Sequence, residues 1–505
     1  MNWIERLRRD ETFLRSAFYL ALALGFLVRL WHLTAPIADD QSWAQTSTAT
    51  VLRHYVENGV DFLHPEWDVL QDGPAAPRNI EAEEAPLYHL AATWLAHLFG
   101  IPSEAAARLL SIIASLLGAV FLFRLMRRLS DGPAALFTAV FFLFAPFSWY
   151  FGRTILSDTW MLAAMIIAVE RYEMWLRCDC PWALLSSVVA VAFAGLFKAF
   201  ALHIGVTLVL MQIAAKGWRS LLDRRLIGAA LIALVPPLVW IAWAAHVGSL
   251  GNVVHAGESV FTAQNLWGPL RLLWTGHFWF MLQARLFDQM ATPFVAVFAL
   301  LGLLFADARK QAKTALFWLA GFLFYVALVR DGQKHNYYQL PALPAFTMLA
   351  GLGLSALSRR VQGKWIALLL AGFLLVATLY VLPHFRLDLS GPRAGELVRL
   401  YSLSDDLVVV LDPGVTRKNQ VNYAAHRRGW HANSLRPGGI EQFHQWGARW
   451  LVTCLDDDQL KKHPEWLELA NRWTKVAEDR GRCGPQGEMH SIAVYDLSEP
   501  AAHRP

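Results

Sequence analysis

The sequence predicts an all-α polytopic membrane protein with about eleven transmembrane helices and a small C-terminal α/β soluble domain. Hydrophobic residues make up 55% of the 505-residue chain and charged residues only 17%, against about 25% in an average soluble domain. The mean hydropathy is +0.34, and charges are scarce until the last part of the chain. We therefore predict a transmembrane domain over residues 1–385 and a soluble domain over residues 386–505.

The positions of Lys and Arg predict how the chain crosses the membrane. A spanning helix needs about 20 apolar residues, and basic residues concentrate in short cytoplasmic loops. Arg6, Arg8 and Arg9 place the N-terminus in the cytoplasm, and the first apolar helix is predicted to be an uncleaved signal anchor. The predicted spans, at approximate bounds, are Ser16–Pro36, Ala105–Leu125, Pro133–Trp149, Leu156–Leu176, Trp182–Lys198, a return to Lys216, Leu226–His246, Ala291–Phe305, a segment from Lys313 to Arg330, Leu340–Leu357 and Ile366–Leu382.

Two segments are predicted to lie on the outer side of the membrane without crossing it. Pro86–Gly100 is too short to span the bilayer comfortably and carries His89 and His97, so we expect a surface helix. The second segment, Gly248–Gln289, is expected to be an outer loop whose middle skims the membrane. The odd number of spans places the tail on the outer side of the membrane. The net charge of +5 comes from helix ends rather than from a basic stripe, which argues against a nucleic-acid partner.

The tail shows alternating strand and helix patterns, which favour a small α/β domain. Two of the four cysteines, Cys454 and Cys483, lie in this region. In an oxidising compartment they are either a disulfide or two thiols, and the sequence leaves both open. The predicted elements are the strands Leu407–Pro413, Arg449–Leu455 and Ser491–Leu497 and the helices Gly439–Gly447 and His463–Asn471.

The predicted topology leaves polar residues on the outer side that need an explanation. Asp39 and Asp40 directly follow the first helix, where a charged pair marks the water boundary. Lys198 and Arg330 lie where the positive-inside rule disfavours cations. An anionic lipid headgroup is a natural ligand for such cations, because Arg binds phosphate oxygens bidentately and Lys acts as a point charge. The alternative is that each is an interfacial cation that snorkels to water.

Five segments in one order carry a family resemblance. The chain resembles the polytopic glycosyltransferases of the GT-C type that use lipid-phosphate sugars. These include the dolichyl-phosphate-mannose protein mannosyltransferases, the bacterial aminoarabinose transferases and the lipid A galacturonosyltransferases. Two departures are visible: Asp39-Asp40 replaces the usual Asp-Glu, and Glu83-Glu84-Ala85 replaces the segment in which aminoarabinose transferases have a Lys. The five segments are Ala38–Trp43, Glu83–Gly100, Phe151–Leu162, Phe197–Phe200 and His335–Phe346.

The resemblance implies an inverting glycosyltransferase that moves a monosaccharide from a polyprenyl-phosphate donor to a lipid, glycan or protein acceptor. The resemblance also implies a bacterial inner membrane with the C-terminal domain in the periplasm. Such an activity at the outer face of that membrane would serve lipopolysaccharide or glycan modification. The alternatives are a transporter or flippase of a lipid-linked saccharide, and a non-catalytic assembly protein with the same fold. The absence of an internal repeat in the sequence disfavours the transporter.

The resemblance also implies roles for individual residues. Asp39 is the predicted base, and Asp40 is its neighbour or a metal partner. A carboxyl group with a reference pKa near 4 is ionised at neutral pH, as a base must be. The alternative is that an aspartate caps the following helix. The residues predicted to bind the donor phosphate or sugar are Arg153, Lys198, Arg330, Lys334, His335, Tyr337 and Tyr338.

A divalent cation (Mg, Mn or Zn) is a further expectation. Glu83, Glu84 and Asp158 are its predicted ligands, because carboxylate oxygens suit hard cations. Asp158 has an alternative role, since it lies five residues after Arg153 and can pair with it. One of Tyr337 and Tyr338 can also belong to the aromatic belt of the membrane interface rather than to a binding site.

Overall fold

The computed structural model describes residues 3–70, 73–76, 78–249, 273–305, 311–328, 335–411, 418–432, 439–462 and 470–500. These residues form two compact units. The first contains the described parts of 1–33, 108–243 and 257–383, and the second those of 34–107, 244–256 and 384–505. This partition differs from the predicted division at residue 385, because the long segment after the first helix packs with the tail.

The first unit is built from apolar helices. Seven helices among the described residues are long and apolar enough to cross a membrane, and three shorter apolar helices accompany them. The all-α polytopic architecture predicted from hydropathy is therefore confirmed. The apolar helices among the described residues are Glu11–Arg29, Ser103–Leu129, Gly132–Phe144, Asp158–Cys178, Pro181–Phe197, Ile204–Lys216, Arg224–Ser249, Gly276–Gln283, Thr292–Leu304, Lys313–Leu328, Leu343–Leu357 and Gly363–Val381.

The first long helix differs from its predicted bounds for an identifiable reason. It begins at Glu11 rather than Ser16, because the side chain of Asp10 accepts a hydrogen bond from the Phe13 amide and caps the helix. It also ends earlier than predicted, at Arg29. The residues up to the acidic pair are therefore turns rather than helix.

Two helices end at a residue with an extended backbone, and the second of these residues is a predicted donor-binding residue. The predicted span Pro133–Trp149 divides at Ala145, whose extended backbone (φ −57°, ψ 137°) precedes a proline. Lys198 has an extended backbone (φ −152°, ψ 117°) between the helix Pro181–Phe197 and the short 3₁₀ helix Ala199–His203. A residue in such a break projects its side chain from a helix end rather than from a helix face.

Three fully buried arginines surround the end of the first long helix. Arg29 is its last residue, and Arg153 Nη1 donates to the carbonyl of Trp31 at 3.0 Å. Arg108 Nη1 donates to the carbonyl of Leu33 at 2.8 Å. All three side chains have no exposed surface. Because a helix end leaves carbonyls without partners inside the helix, these guanidinium groups stabilise the exit of the chain from the membrane region.

The helices Thr292–Leu304 and Leu343–Leu357 approach each other at two glycines. A Cβ atom on Gly353 would lie 2.0 Å from the carbonyl oxygen of Phe298, and one on Gly302 would lie 2.2 Å from that of Leu349. Small residues at a helix interface allow such backbone contact, which strengthens packing between membrane helices.

The second unit contains a five-stranded mixed sheet in the order β2-β1-β3-β5-β4. β1 pairs in parallel with β2 and β3, whereas β5 is antiparallel to β3 and β4. The three predicted strands are confirmed as β1, β3 and β5. The sequence did not indicate β2, which has only four residues, or β4, which is half-exposed at the sheet edge. The strands are β1 Leu407–Leu411, β2 Gly429–Ala432, β3 Ala448–Asp456, β4 Trp473–Arg482 and β5 Met489–Pro500.

Both faces of the sheet are covered. Val409 and Leu451 face one hydrophobic cluster, which includes Ile440 of a short helix, whereas Val408 and Val452 face the other. Cys454 and Cys483 are buried in this second cluster as thiols. The predicted helix at 439–447 is confirmed as Gly439–Gln445, and most of the predicted helix His463–Asn471 lies outside the described residues. The other helices of the unit are Ser42–Asn58, Leu87–Phe99, Ser390–Tyr401, Lys418–Ala425 and Asp457–Lys462.

The segment after the first long helix packs directly on the tail within this unit. Arg53 donates to the carbonyl of Tyr423 at 2.7 Å and forms a buried ion pair with Asp68, which also bonds His54 at 2.9 Å. Burial opposes ionisation of Asp68, but the charge of Arg53 and the hydrogen bond from His54 outweigh it and lower the pKa of that carboxyl group. Asn419 donates to the carbonyl of Trp43 at 2.9 Å.

The same segment also covers the edge of the sheet. Val69 forms a parallel bridge with Gly429 of β2. The amide of Leu70 donates to the carbonyl of Gly429 at 2.7 Å, and the amide of Gly429 donates to the carbonyl of Asp68 at 3.0 Å. Residues 68–70 therefore satisfy the amide and carbonyl of Gly429, which this edge strand would otherwise expose.

The orientation of the tail can be measured with reporters. We expect alkaline phosphatase fused to the C-terminus to be active, because the predicted odd number of spans from a predicted cytoplasmic N-terminus would export the tail. A fusion after Ser130, in a turn predicted to be cytoplasmic, is the matched control and should be inactive. An inactive C-terminal fusion that is stably expressed would show that the span count is wrong.

Candidate functional site

The acidic pair lies in a tight turn immediately before the helix Ser42–Asn58. Asp39 is only 4% exposed, and its Oδ1 accepts a hydrogen bond from Gln45 Nε2 at 2.8 Å. The same amide donates to the backbone carbonyl of Asp40 at 3.0 Å. Gln41 occupies the N-cap position with a left-handed backbone (φ 55°), so neither aspartate is the cap residue. Asp39 is thus a buried carboxylate with a fixed orientation, as a base requires.

The side chain and the amide of Asp40 both contact His384, a residue near the start of the tail. Its Oδ2 lies 2.6 Å from Nδ1 of His384, and its amide donates to the His384 carbonyl at 3.1 Å. The Asp40 side chain is 29% exposed and that of His384 17%. The sequence alone did not indicate Gln45 or His384. The only available signals were the position of Gln45 six residues after Asp39 and of His384 directly after the last predicted span.

A second polar group lies in the first unit, around the helix break at Lys198. The Lys198 Nζ atom lies 3.8 Å from Asp158 Oδ2, and the two side chains are 10% and 1% exposed. Asp158 is the first residue of the helix Asp158–Cys178. The structure therefore brings together a predicted phosphate ligand and a predicted metal ligand as a buried ion pair.

Aromatic side chains surround this part of the first unit. The ring of Tyr338 lies 5.7 Å from that of Phe200, two residues after Lys198, and 4.8 Å from that of Tyr337. The imidazole of His335 stacks on Tyr337 at 5.5 Å and meets Tyr338 edge-on at 5.2 Å. His335, Tyr337 and Tyr338, three of the predicted donor-binding residues, thus form one aromatic cluster that reaches Phe200.

The remaining predicted residues are placed differently. Arg153 is fully buried and already donates to the Trp31 carbonyl, so it braces the helix exit in this structure. Arg330 and Lys334 lie outside the described residues. Glu83 is exposed and Glu84 half-buried in the second unit. No group of three or more His, Cys, Asp or Glu side chains within the described ranges could hold a metal ion, and the divalent cation stays a prediction.

Part of the chain matches a known protein family. Residues 83–243, about a third of the chain, match the family model of the dolichyl-phosphate-mannose-protein mannosyltransferases. No curated protein matches the chain in sequence.

Solved structures resemble the chain over nearly its whole length. ArnT from Cupriavidus metallidurans in the apo state superposes with a TM-score of 0.60 at 14% identity, covering 96% of this chain and 99% of that one. ArnT from the same organism bound to undecaprenyl phosphate gives a TM-score of 0.57 at 15% identity, covering 94% and 97%. The archaeal oligosaccharyltransferase AglB from Archaeoglobus fulgidus, in complex with an inhibitory peptide and a dolichol-phosphate, gives 0.57 at 12% identity, covering 95% and 74%.

These likenesses concern the fold. They confirm the resemblance to polytopic glycosyltransferases of the GT-C type and the combination of a helical membrane region with a C-terminal sheet domain. The chain is a multi-pass membrane protein by its helices and by this fold. The family match begins at Glu83 and covers three of the five segments that carried the resemblance, Glu83–Gly100, Phe151–Leu162 and Phe197–Phe200.

Proposed function

We propose that this protein is an inverting glycosyltransferase that transfers a monosaccharide from a polyprenyl-phosphate donor to a hydroxyl-bearing acceptor at the outer face of the bacterial inner membrane. The observation that carries the proposal is Asp39, a buried carboxylate oriented by Gln45, in a chain with the fold of ArnT. Burying a charged carboxylate costs free energy, and such ionisable groups cluster at functional sites. The lipid phosphates in the ArnT and AglB structures named above support a donor of this class.

The proposed reaction is a single displacement. The acceptor oxygen forms a bond to the anomeric carbon while the bond from that carbon to the donor phosphate oxygen breaks. The hydroxyl proton passes to the Asp39 carboxylate, and the electron pair leaves with the polyprenyl phosphate. Asp39 later returns the proton to water. A single displacement inverts the anomeric configuration, and the products are the glycosylated acceptor and polyprenyl phosphate.

The donor phosphate gains negative charge as the bond breaks, so its ligands must be cationic or hydrogen-bond donors. Lys198 supplies a positive charge from an extended helix break, and Tyr338 supplies a hydroxyl group near Phe200. His335 and Tyr337 lie beside Tyr338 and suit the sugar, since imidazole and phenol groups both stack and hydrogen-bond. Arg330 and Lys334 belong to the same proposed set on sequence grounds alone.

Lys198→Met is expected to reduce kcat/KM for an undecaprenyl-phosphate monosaccharide about thirtyfold. Methionine keeps much of the volume but removes the charge, and a charge-assisted contact contributes on the order of 2 kcal/mol. If the contact already exists in the ground state, KM for the donor rises instead of kcat falling.

Lys216→Met is the matched control, because Lys216 is a helix-end lysine with 38% side-chain exposure. That variant should keep the kcat/KM of the parent. A Lys198→Met protein that binds undecaprenyl phosphate and turns over like the parent would remove Lys198 from the phosphate site.

The proposed function is tested most directly by comparing lipid extracts of cells with and without the gene by mass spectrometry. We expect a sugar-modified lipid or glycan to disappear and a polyprenyl-phosphate sugar to accumulate when the gene is deleted. The purified protein should then convert that accumulated donor in vitro to polyprenyl phosphate. Movement of the donor across vesicle membranes with no loss of its sugar would instead identify a flippase.

A further inference from the structure

The turn that carries the acidic pair is tied to the segment that follows the last membrane helix. The amide of Asp388 donates to the carbonyl of Ala38 at 2.7 Å, and the amide of Asp40 donates to the carbonyl of His384 at 3.1 Å. Between these two backbone bonds, Nδ1 of His384 lies 2.6 Å from Oδ2 of Asp40. All of these residues belong to the second unit.

The backbone bonds and the imidazole bond act on different parts of the turn. Backbone bonds fix where the turn runs and survive most side-chain substitutions. The imidazole fixes the side-chain rotamer of Asp40, and no backbone bond can replace it there. His384 is mostly buried, with 17% of its side chain exposed, so its ring has little freedom to move.

One side-chain amide connects Asp40 with the carboxylate of Asp39. Gln45 Nε2 donates both to Asp39 Oδ1 at 2.8 Å and to the Asp40 carbonyl at 3.0 Å. Gln45 has no exposed surface, so its amide cannot move far without disturbing the helix that carries it. A shift of residue 40 therefore changes the geometry of the hydrogen bond that orients the Asp39 carboxylate.

We propose that His384 is a positioning residue for the transfer reaction, which acts on Asp39 through Asp40 and the shared Gln45 amide. The inference rests on the proposed function, since it assumes that Asp39 is the base. His384 holds the second carboxylate away from the first, so that two adjacent negative charges keep separate orientations. The first residues of the tail thereby set the geometry of the turn that follows the first helix.

The central test is His384→Leu. Its kcat for a panel of undecaprenyl-phosphate monosaccharides should fall by about ten- to a hundredfold, the range expected when a reacting group is misplaced by about 1 Å. The donor KM and the thermal unfolding temperature should stay near those of the parent. His384→Asn should keep most of the kcat, because its side-chain amide nitrogen can occupy the position of Nδ1.

Two further variants separate positioning from a merely structural role. If His384 acts through Asp40, then His384→Leu should add no further loss of kcat in an Asp40→Ala background. His97→Leu is the matched control, since it makes the same change at an exposed histidine of the same unit and should leave kcat unchanged. Should His384→Leu not be recovered as folded protein, His384→Gln replaces it, because the longer side chain displaces the amide from the Nδ1 position.

The outcomes distinguish the two proposals. Parent-like kcat in both His384→Leu and His384→Gln, or losses that add fully in the Asp40→Ala background, would overturn the positioning role while leaving the transferase in place. Full turnover by Asp39→Asn would overturn the assigned base and the positioning role with it. A parent protein that converts none of the donors would overturn the proposed function itself.

Discussion

Asp39→Asn should abolish transfer while leaving the protein folded. The amide has nearly the same shape as the carboxylate, and its oxygen can still accept the hydrogen bond from Gln45 Nε2. It cannot accept the acceptor's hydroxyl proton, so the variant loses the contribution of general base catalysis, about 10²–10⁴ in rate. The measurement is turnover of an undecaprenyl-phosphate monosaccharide by purified protein, beside its thermal unfolding temperature.

A matched control shows that the loss is specific to the proposed base. Asp405→Asn makes the same change at an exposed carboxylate of the same unit and should keep parent activity. Binding of undecaprenyl phosphate should be unchanged in both variants, because Asp39 is assigned to the acceptor rather than to the phosphate. Rapid turnover by a correctly folded Asp39→Asn protein would refute the assignment.

Gly353→Ala should destabilise the membrane region although it adds only one methyl group. The added Cβ would lie 2.0 Å from the Phe298 carbonyl oxygen and 2.7 Å from the Gly302 amide nitrogen. Because both obstacles are backbone atoms, the helices Thr292–Leu304 and Leu343–Leu357 must move apart. Overpacking of this kind costs about 1–3 kcal/mol. We expect a thermal unfolding temperature in detergent that is several degrees lower, consistent with this cost.

Gly228→Ala is the control for that experiment. Gly228 lies in the helix Arg224–Ser249, where an added Cβ would meet no atom within 4 Å among the described residues. The substitution should leave stability unchanged or raise it slightly, because alanine favours helix more than glycine does. Equal unfolding temperatures for the two variants would show that the close approach at Gly353 is not required.

The sequence predicted the membrane helices well because the apolar composition that a spanning helix needs is set by the lipid around it. It does not depend on contacts with residues distant in the sequence. The helix Ser103–Leu129 contains the predicted span Ala105–Leu125, and the helix Asp158–Cys178 nearly coincides with Leu156–Leu176. The break at Ala145 was missed, although the following Pro146 was visible. Hydropathy averages over such a break, whereas the steric rule for residues before proline acts on a single position.

The candidate site was only partly predictable for a different reason. Asp39 and Asp40 stood out because a charged pair is costly inside the bilayer and here directly follows the first apolar helix. His384 could not be assigned to Asp40, since the two residues are 344 positions apart and no local pattern connects them. Gln45 is an ordinary polar residue in a helix until its hydrogen bond to Asp39 is seen. Arg153 was predicted to bind phosphate from its position alone. The structure shows that its side chain is buried and donates to the Trp31 carbonyl.

The bridge between Val69 and Gly429 has a consequence for how the protein is made. A ribosome completes residues 68–70 long before β2 exists, and all the membrane helices from Ser103 onward are synthesised in between. Residues 68–70 therefore remain unpaired until β2 has been synthesised, and only then can this edge of the sheet form. Contacts so distant in sequence make closure slow. A tail cut from the chain would emerge with an unprotected strand edge, the kind of surface on which proteins aggregate.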